Sequence, residues 1–223
     1  MTDEERSPSL VDRVLVSTRH RILTGEYPPG MRLRLNHLAE ESGVSLIPVR
    51  EALRVLEAER LVRTVPNKGA TVAELSIDDM NDLYSVRIQL ESEALASSKP
   101  LTDVEVESLE AVLAEMDVAD AAGDFARTMR LHRGFHFKLY ERSASSWLPF
   151  LIDILWKHAE RYQWLSLHVR RDVAGDEHLA IVEALHRGEM LAAAEAMRAH
   201  LDMTRTLLEQ EYSHVMQLRE AEG

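Results

Sequence analysis

Apolar residues recur at helical spacing along most of this chain, and the interruptions gather in its first third. Leu10, Val14 and Ile22 make a stripe over residues 8–24, which Gly25 ends. Tyr27-Pro28-Pro29-Gly30 is a turn, and Arg32-Leu33-Arg34-Leu35 alternates like a very short strand. Leu38-Ala39-Glu40-Glu41 predicts a short helix, and Ser42-Gly43-Val44 a tight turn in which Gly43 takes positive φ without steric cost. Ser45 then stands at an N-cap position, and Pro48 falls in the first helical turn, where its missing N–H is tolerated. Val49, Leu53 and Leu56 back this second helix, leaving Arg50 and Arg54 on another face. Val62–Pro66 and Ala70–Val72 predict two strands joined through Asn67-Lys68-Gly69. Helix, turn, helix and hairpin in that order predict a winged helix-turn-helix, whose second helix enters the major groove of double-stranded DNA.

From residue 76 onward only helical patterns appear. Ser76 can cap a helix over 77–98; Thr102 caps one through 122, with Val106, Leu109, Leu113 and Met116 at helical spacing. Further helices are expected over 124–142, 146–169, 176–187 and 189–217. The turns between them are short, which favours antiparallel neighbours. The expected fold is therefore mostly α: a winged helix-turn-helix over 8–75, then an all-α antiparallel bundle of about six helices over 76–217 for ligand, metal and dimer contacts.

Charge sharpens this division. Residues 1–75 carry 11 Lys/Arg and 11 Asp/Glu, whereas residues 76–223 carry 15 and 27 and so supply the whole net charge of −12. Such a chain is not a bulk binder of polyanions; DNA would have to meet the neutral head. The chain has no cysteine, which excludes disulfides and thiolate metal sites. No apolar run approaches the roughly 18 residues of a membrane span, and the acidic N-terminus lacks a signal-peptide core. A cytoplasmic protein without a membrane partner is expected.

Four of the ten histidines fall on inward stripes. His132 and His136 are i,i+4 neighbours on the stripe of Phe125, Met129 and Leu139, a spacing that lets two imidazoles share one ion. His178 shares a face with Ile181, Val182 and Leu185, and His200 lies with Met197, Thr204 and Leu208. A single inward histidine is more often satisfied by a backbone carbonyl or an acid, but four on three helices favour a metal. Arg87 also points inward, with Leu83, Leu90 and Ala94; it suits either a ligand carboxylate or an ion pair with Glu91 or Glu93. The inward stripes supply no obvious Asp or Glu to act as a general base, which weighs against a metal-dependent enzyme.

The segments PPGMRL, LAEESGVS, PVREAL, LEAERLV and KGATV, followed by VRIQLESEALA, GFHFKLY and DEHLAIVEAL…AMRAHL, occur in order over nearly the whole chain. In these the chain resembles GntR-family transcription regulators of the FadR type, which carry an FCD effector domain. The resemblance implies a homodimer on a short palindromic DNA operator and a helical domain that changes DNA affinity when a small molecule binds. FCD domains commonly hold a divalent metal through one Asp and three His. His136, His178 and His200 match the three His, and His132 takes the position of the Asp. A neutral all-imidazole set suits Zn²⁺, Ni²⁺, Cu²⁺ or Fe²⁺ better than Mn²⁺ or Mg²⁺, and leaves the metal's full charge for an anion. Arg87 matches an Arg that can reach a ligand carboxylate, which implies a small organic acid as effector.

On the DNA side Ser45, Pro48 and Arg50 match the family's contact segment, but Leu46 stands where an Arg is usual. That Arg commonly makes a bidentate contact to guanine; Leu46 can only touch a thymine methyl. Arg32, Arg34, Arg54 and Lys68 are expected at phosphates, with Gly69 at a wing tip in the minor groove. The alternatives are a metal or ligand sensor whose head has lost DNA binding, and a metal-dependent enzyme.

Overall fold

The structure, a computed structural model, describes residues 9–65, 69–165 and 174–222. The chain divides into two compact units between Ser76 and Ile77. In the first, helix α1 (Leu10–Leu23) is followed by strand β1 (Arg32–Leu33), helices α2 (Leu35–Ser42) and α3 (Leu46–Ala58), and strands β2 (Val62–Val65) and β3 (Gly69–Val72). The sheet has the order β1-β3-β2 and is antiparallel throughout. Val14, Ile22, Leu38, Val49, Leu53, Leu56 and Val72 are buried together, so the helical stripes and the hairpin close on one core.

Local chemistry sets the turn between α2 and α3. Gly43 caps α2 at φ 64°, and its N–H, with that of Val44, donates to carbonyls in the last turn of α2. Ser45 occupies the N-cap of α3 in extended conformation, yet its side chain makes no capping hydrogen bond. Pro48 is buried in the first turn of α3. Lys68, at the tip of the hairpin, lies outside the described residues.

The second unit consists, among the described residues, of helices α4 (Ile77–Ala96), α5 (Asp103–Ala121), α6 (Phe125–Leu139), α7 (Trp147–Leu165), α8 (Ala174–His186) and α9 (Met190–Glu222). Thr102 and Glu105 form a reciprocal capping box on α5, and Asp124 caps α6 through the Arg127 N–H. α4 stops at Ala96, two residues before the expected end, as the Ser97 and Ser98 hydroxyls donate to the carbonyls of Glu93 and Ala94. α9 packs along α4 and α8, α7 lies against α4 and α9, and α5 pairs with α6 and α8. Tyr84, Leu109, Phe135, Trp156, Ile181 and Met197 are buried within this unit, one from each helix. No helix among the described residues is long and apolar enough to cross a membrane.

Candidate functional site

Each unit presents one chemically distinctive surface. On the head, Ser45, Leu46 and Arg50 are exposed at the start of α3, and Arg54 is exposed one turn further along. Pro48 is not among them: it is buried, so it shapes the helix start and offers no surface to DNA. Ile47, unremarked in the sequence pattern, is more open than Leu46, at 68% against 38% exposure, so the first turn carries an apolar pair. Arg32 and Arg34 are exposed on and just after β1. Across the sheet, Thr71 of β3 is in register with both Arg32 and Arg63, which puts two exposed arginines on either side of one threonine. Only strand pairing reveals Arg63 as a member of this group.

The arginines of the head fall into two classes. Arg19 is held by Glu59, and Arg21 by Glu26 and Glu41. Arg32, Arg34, Arg50, Arg54 and Arg63 have no carboxylate partner among the described residues, so their charge is available to phosphate. Gly69, at φ 85°, begins β3 beside Arg32.

In the second unit, α6, α8 and α9 bring His132, His136, His178 and His200 together, all four buried, with one ligating atom from each within 4.8 Å of the others. The i,i+4 pair on α6 faces inward with Nε2 of His136 3.2 Å from Nε2 of His132. Two nitrogens bound to a tetrahedral zinc at ~2.0–2.1 Å stand about 3.3 Å apart, so this spacing suits a shared ion. The outer nitrogens are anchored. His200 Nδ1 lies 2.8 Å from Glu177 Oε2, so it donates to that carboxylate and leaves Nε2 with the lone pair. His136 Nδ1 lies 3.3 Å from the Tyr140 hydroxyl, which itself donates to Glu91 Oε2. Imidazoles oriented in this way, His200 by a carboxylate and His136 by a tyrosine hydroxyl that a carboxylate anchors, are fitting donors for a divalent transition metal.

Electrostatics agree with a neutral imidazole at His136. Burial pushes His136 well below the ordinary value of 6.5, and His132, His200, His178 and Arg87 push it further the same way. Burial, reinforced by Glu91, raises Tyr140 well above 10 and keeps its proton on the oxygen.

Arg87 lies fully buried beside this cluster. Its Nε donates to Glu91 Oε1 at 2.7 Å, and its guanidinium is sandwiched, with Cζ 4.8 Å from the Tyr84 ring centroid and 4.6 Å from that of Trp156. Burial alone would lower its pKa; the charge of Glu91, with Tyr84 and Tyr140, more than offsets this and raises it. Nη1 and Nη2 have no hydrogen-bond partner among the described residues. The ion pair and the ligand clamp are thus compatible: Glu91 takes one edge of the guanidinium and the other edge stays available.

Glu91, weighed with Glu93 as an ion-pair partner for Arg87, is that partner and turns fully inward. It is completely buried, with one oxygen accepting from Arg87 and the other from Tyr140. Both oxygens are therefore engaged, which makes it an anchor and not a free base. Tyr140, one turn after His136, and Glu177, the neighbour of His178, were missed, though the spacing and adjacency could have suggested both.

Comparison with known proteins places the two units. Residues 10–72 match the family model described as bacterial regulatory proteins, gntR family, and residues 82–203 match the FCD domain. The HTH-type transcriptional regulator BphR of Paraburkholderia xenovorans LB400 is 31% identical over 211 residues, covering 91% of this chain and 86% of that protein. The HTH-type transcriptional repressor GlaR of Escherichia coli K12 is 29% identical, covering 82% and 88%. The solved structure of E. coli McbR/YncC superposes with a TM-score of 0.75 at 25% identity, covering 92% of this chain and 99% of that one. These relatives are named for control of transcription and not for a reaction.

Proposed function

The chain belongs to the GntR family of bacterial regulators, with an FCD domain behind its DNA-binding head, and from this premise we propose a zinc-holding homodimer on a palindromic operator whose DNA affinity is set by a small organic acid. The observation that carries the reading is a four-imidazole cluster beside a buried arginine with two unpartnered nitrogens.

His132, His136, His178 and His200 would hold the metal, and the neutral nitrogen donors favour Zn²⁺, with Ni²⁺, Fe²⁺ and Cu²⁺ also suited. The bound ion would supply a concentrated positive charge in a water-poor interior. Glu91 offsets the charge of Arg87, so a bound divalent ion would leave the site with a net attraction for anions. Arg87 presents Nη1 and Nη2 as a fork, which matches the two oxygens of a carboxylate. Glu91 and the two flanking rings hold that fork in place before any ligand arrives.

Self-association is supported by α7. Its buried face carries Ile152, Trp156 and Ala159, yet Trp147, Phe150, Leu151 and Ile154 stand exposed at helical spacing on the other side. A helix apolar on both sides is normally covered on both, and a second copy of this face would cover it. The dimer then offers two heads to two half-sites, and the ligand acts by favouring one arrangement of the heads over another. Arg32, Arg34, Arg50, Arg54 and Arg63 would meet phosphates or base edges, Ser45, Leu46 and Ile47 the major groove, and Lys68 and Gly69 the minor groove. Five arginines without acidic partners weigh against a head that has lost DNA binding.

Selection of bound sequences from random duplex DNA tests the reading. A palindrome with two half-sites is expected, and with Leu46 in place of arginine its half-site should show thymine at a position where relatives read guanine. A folded protein that enriches no sequence would leave only a sensor acting through protein contacts.

A further inference from the structure

Three buried N–H groups stand together without an acceptor: Nη1 and Nη2 of Arg87, and Nε1 of Trp156. The guanidinium carbon is 4.6 Å from the indole ring, so all three belong to one neighbourhood. Trp156 is completely buried on α7, and its ring centroid lies 5.0 Å from that of His136 and 5.4 Å from that of His132. An indole nitrogen donates and never accepts, and when buried it normally finds a partner. Glu91, whose oxygens accept from Arg87 Nε and the Tyr140 hydroxyl, is not a hydrogen-bond partner of these three donors. Three buried donors without a partner among the described residues would be completed by a group that accepts.

We infer that Trp156 is a ligand-binding residue: its indole N–H donates to an acceptor oxygen that the effector carries next to the carboxylate held by Arg87. The effector is then a small acid with a third acceptor, such as a 2-oxo acid, and not a plain carboxylic acid. This rests on the reading of Arg87 as the carboxylate clamp. Arg87 supplies affinity for any carboxylate, and Trp156 supplies the choice among them, because an acid that cannot accept leaves the indole N–H unpaired.

Butyrate and 2-oxobutyrate differ by one acceptor oxygen at nearly equal size, and calorimetry on the zinc-loaded full chain compares them. The wild type should bind 2-oxobutyrate about ten-fold more tightly than butyrate, the scale of one buried hydrogen bond. Trp156→Phe keeps an aromatic ring against Arg87 and should erase that preference, bringing the affinities for the two acids together while zinc content stays the same. In a second experiment Trp147 and Trp164 are replaced by Phe, so that Trp156 alone emits; its fluorescence should change with 2-oxobutyrate and not with butyrate. A preference that survives Trp156→Phe assigns the oxo oxygen elsewhere and overturns the inference, leaving Arg87 as the clamp. Equal affinities in the wild type, or an emission that does not distinguish the two acids, overturn it as well. Binding of neither acid by the wild type removes the carboxylate clamp itself, and the role of Trp156 with it.

Discussion

Tyr140 joins the two halves of the buried site. Its hydroxyl donates to Glu91, which also anchors Arg87, and its oxygen faces Nδ1 of His136. Removing that oxygen leaves the imidazole unoriented and one oxygen of Glu91 without its donor, while the ring still fills the core. Loss of such an outer partner typically costs metal affinity 10–100-fold. Tyr140→Phe should therefore weaken zinc binding by about ten-fold in competition with a chromophoric chelator, and an unchanged affinity would remove Tyr140 from the metal's support. His136 gives a second test, through pH. Its imidazole is held neutral well below 6.5 in the folded protein, whereas in the unfolded chain it takes a proton near that value. Below 6.5 the unfolded state binds more protons, so the stability of the metal-free protein is complete above this pH and declines as pH falls toward the folded pKa. Its melting temperature should drop between about pH 7 and about pH 5.5, and His136→Gln should flatten the slope. A slope unaffected by the substitution would place the titrating group elsewhere. The pair His132 and His136 was readable from i,i+4 spacing alone, and Glu91 was readable as a partner for Arg87 but not as a group bridging Arg87 to Tyr140. A helical pattern assigns a carboxylate to solvent by default, and what buries this one is a tyrosine 49 positions away on another helix.

At the scale of elements, caps and apolar stripes locate the helices well. Thr102 and Gly43 stand at the ends they were expected to mark, because a capping side chain or a positive φ is a local requirement that neighbours in sequence can state. Two things escaped such local reading. Ser45 sits at its N-cap position but makes no capping bond, and Arg63 joins Arg32 only through the register of β3. α7 shows the limit of periodicity from the other side. Its first half is apolar on both sides, so the pattern alone does not separate the buried face of Ile152 and Trp156 from the exposed one of Trp147 and Phe150. If a second copy covers that exposed face, Phe150→Glu places two like charges in the contact across the symmetry axis. The variant should sediment as a folded monomer, with unchanged circular dichroism and full zinc content. A variant that remains dimeric would move the interface to another surface.

For the whole molecule, charge and division of labour point the same way. The neutral head carries five arginines with no carboxylate partner among the described residues, and the body carries the acidic excess, which keeps it from competing for phosphate. Family membership follows from matches over residues 10–72 and 82–203, whereas the proposed sensing chemistry rests on this chain's own cluster of His132, His136, His178 and His200 beside Arg87. Any ligand that binds one arrangement of the heads more tightly must be bound more tightly in turn when operator DNA holds that arrangement. Zinc-edge X-ray absorption on the protein as purified, with metal content from the same sample, tests the central claim most directly. One ion per protomer with a nitrogen shell showing the scattering of four imidazoles is predicted. A protein that carries no stoichiometric metal, or an ion bound by fewer than three imidazoles, would contradict it.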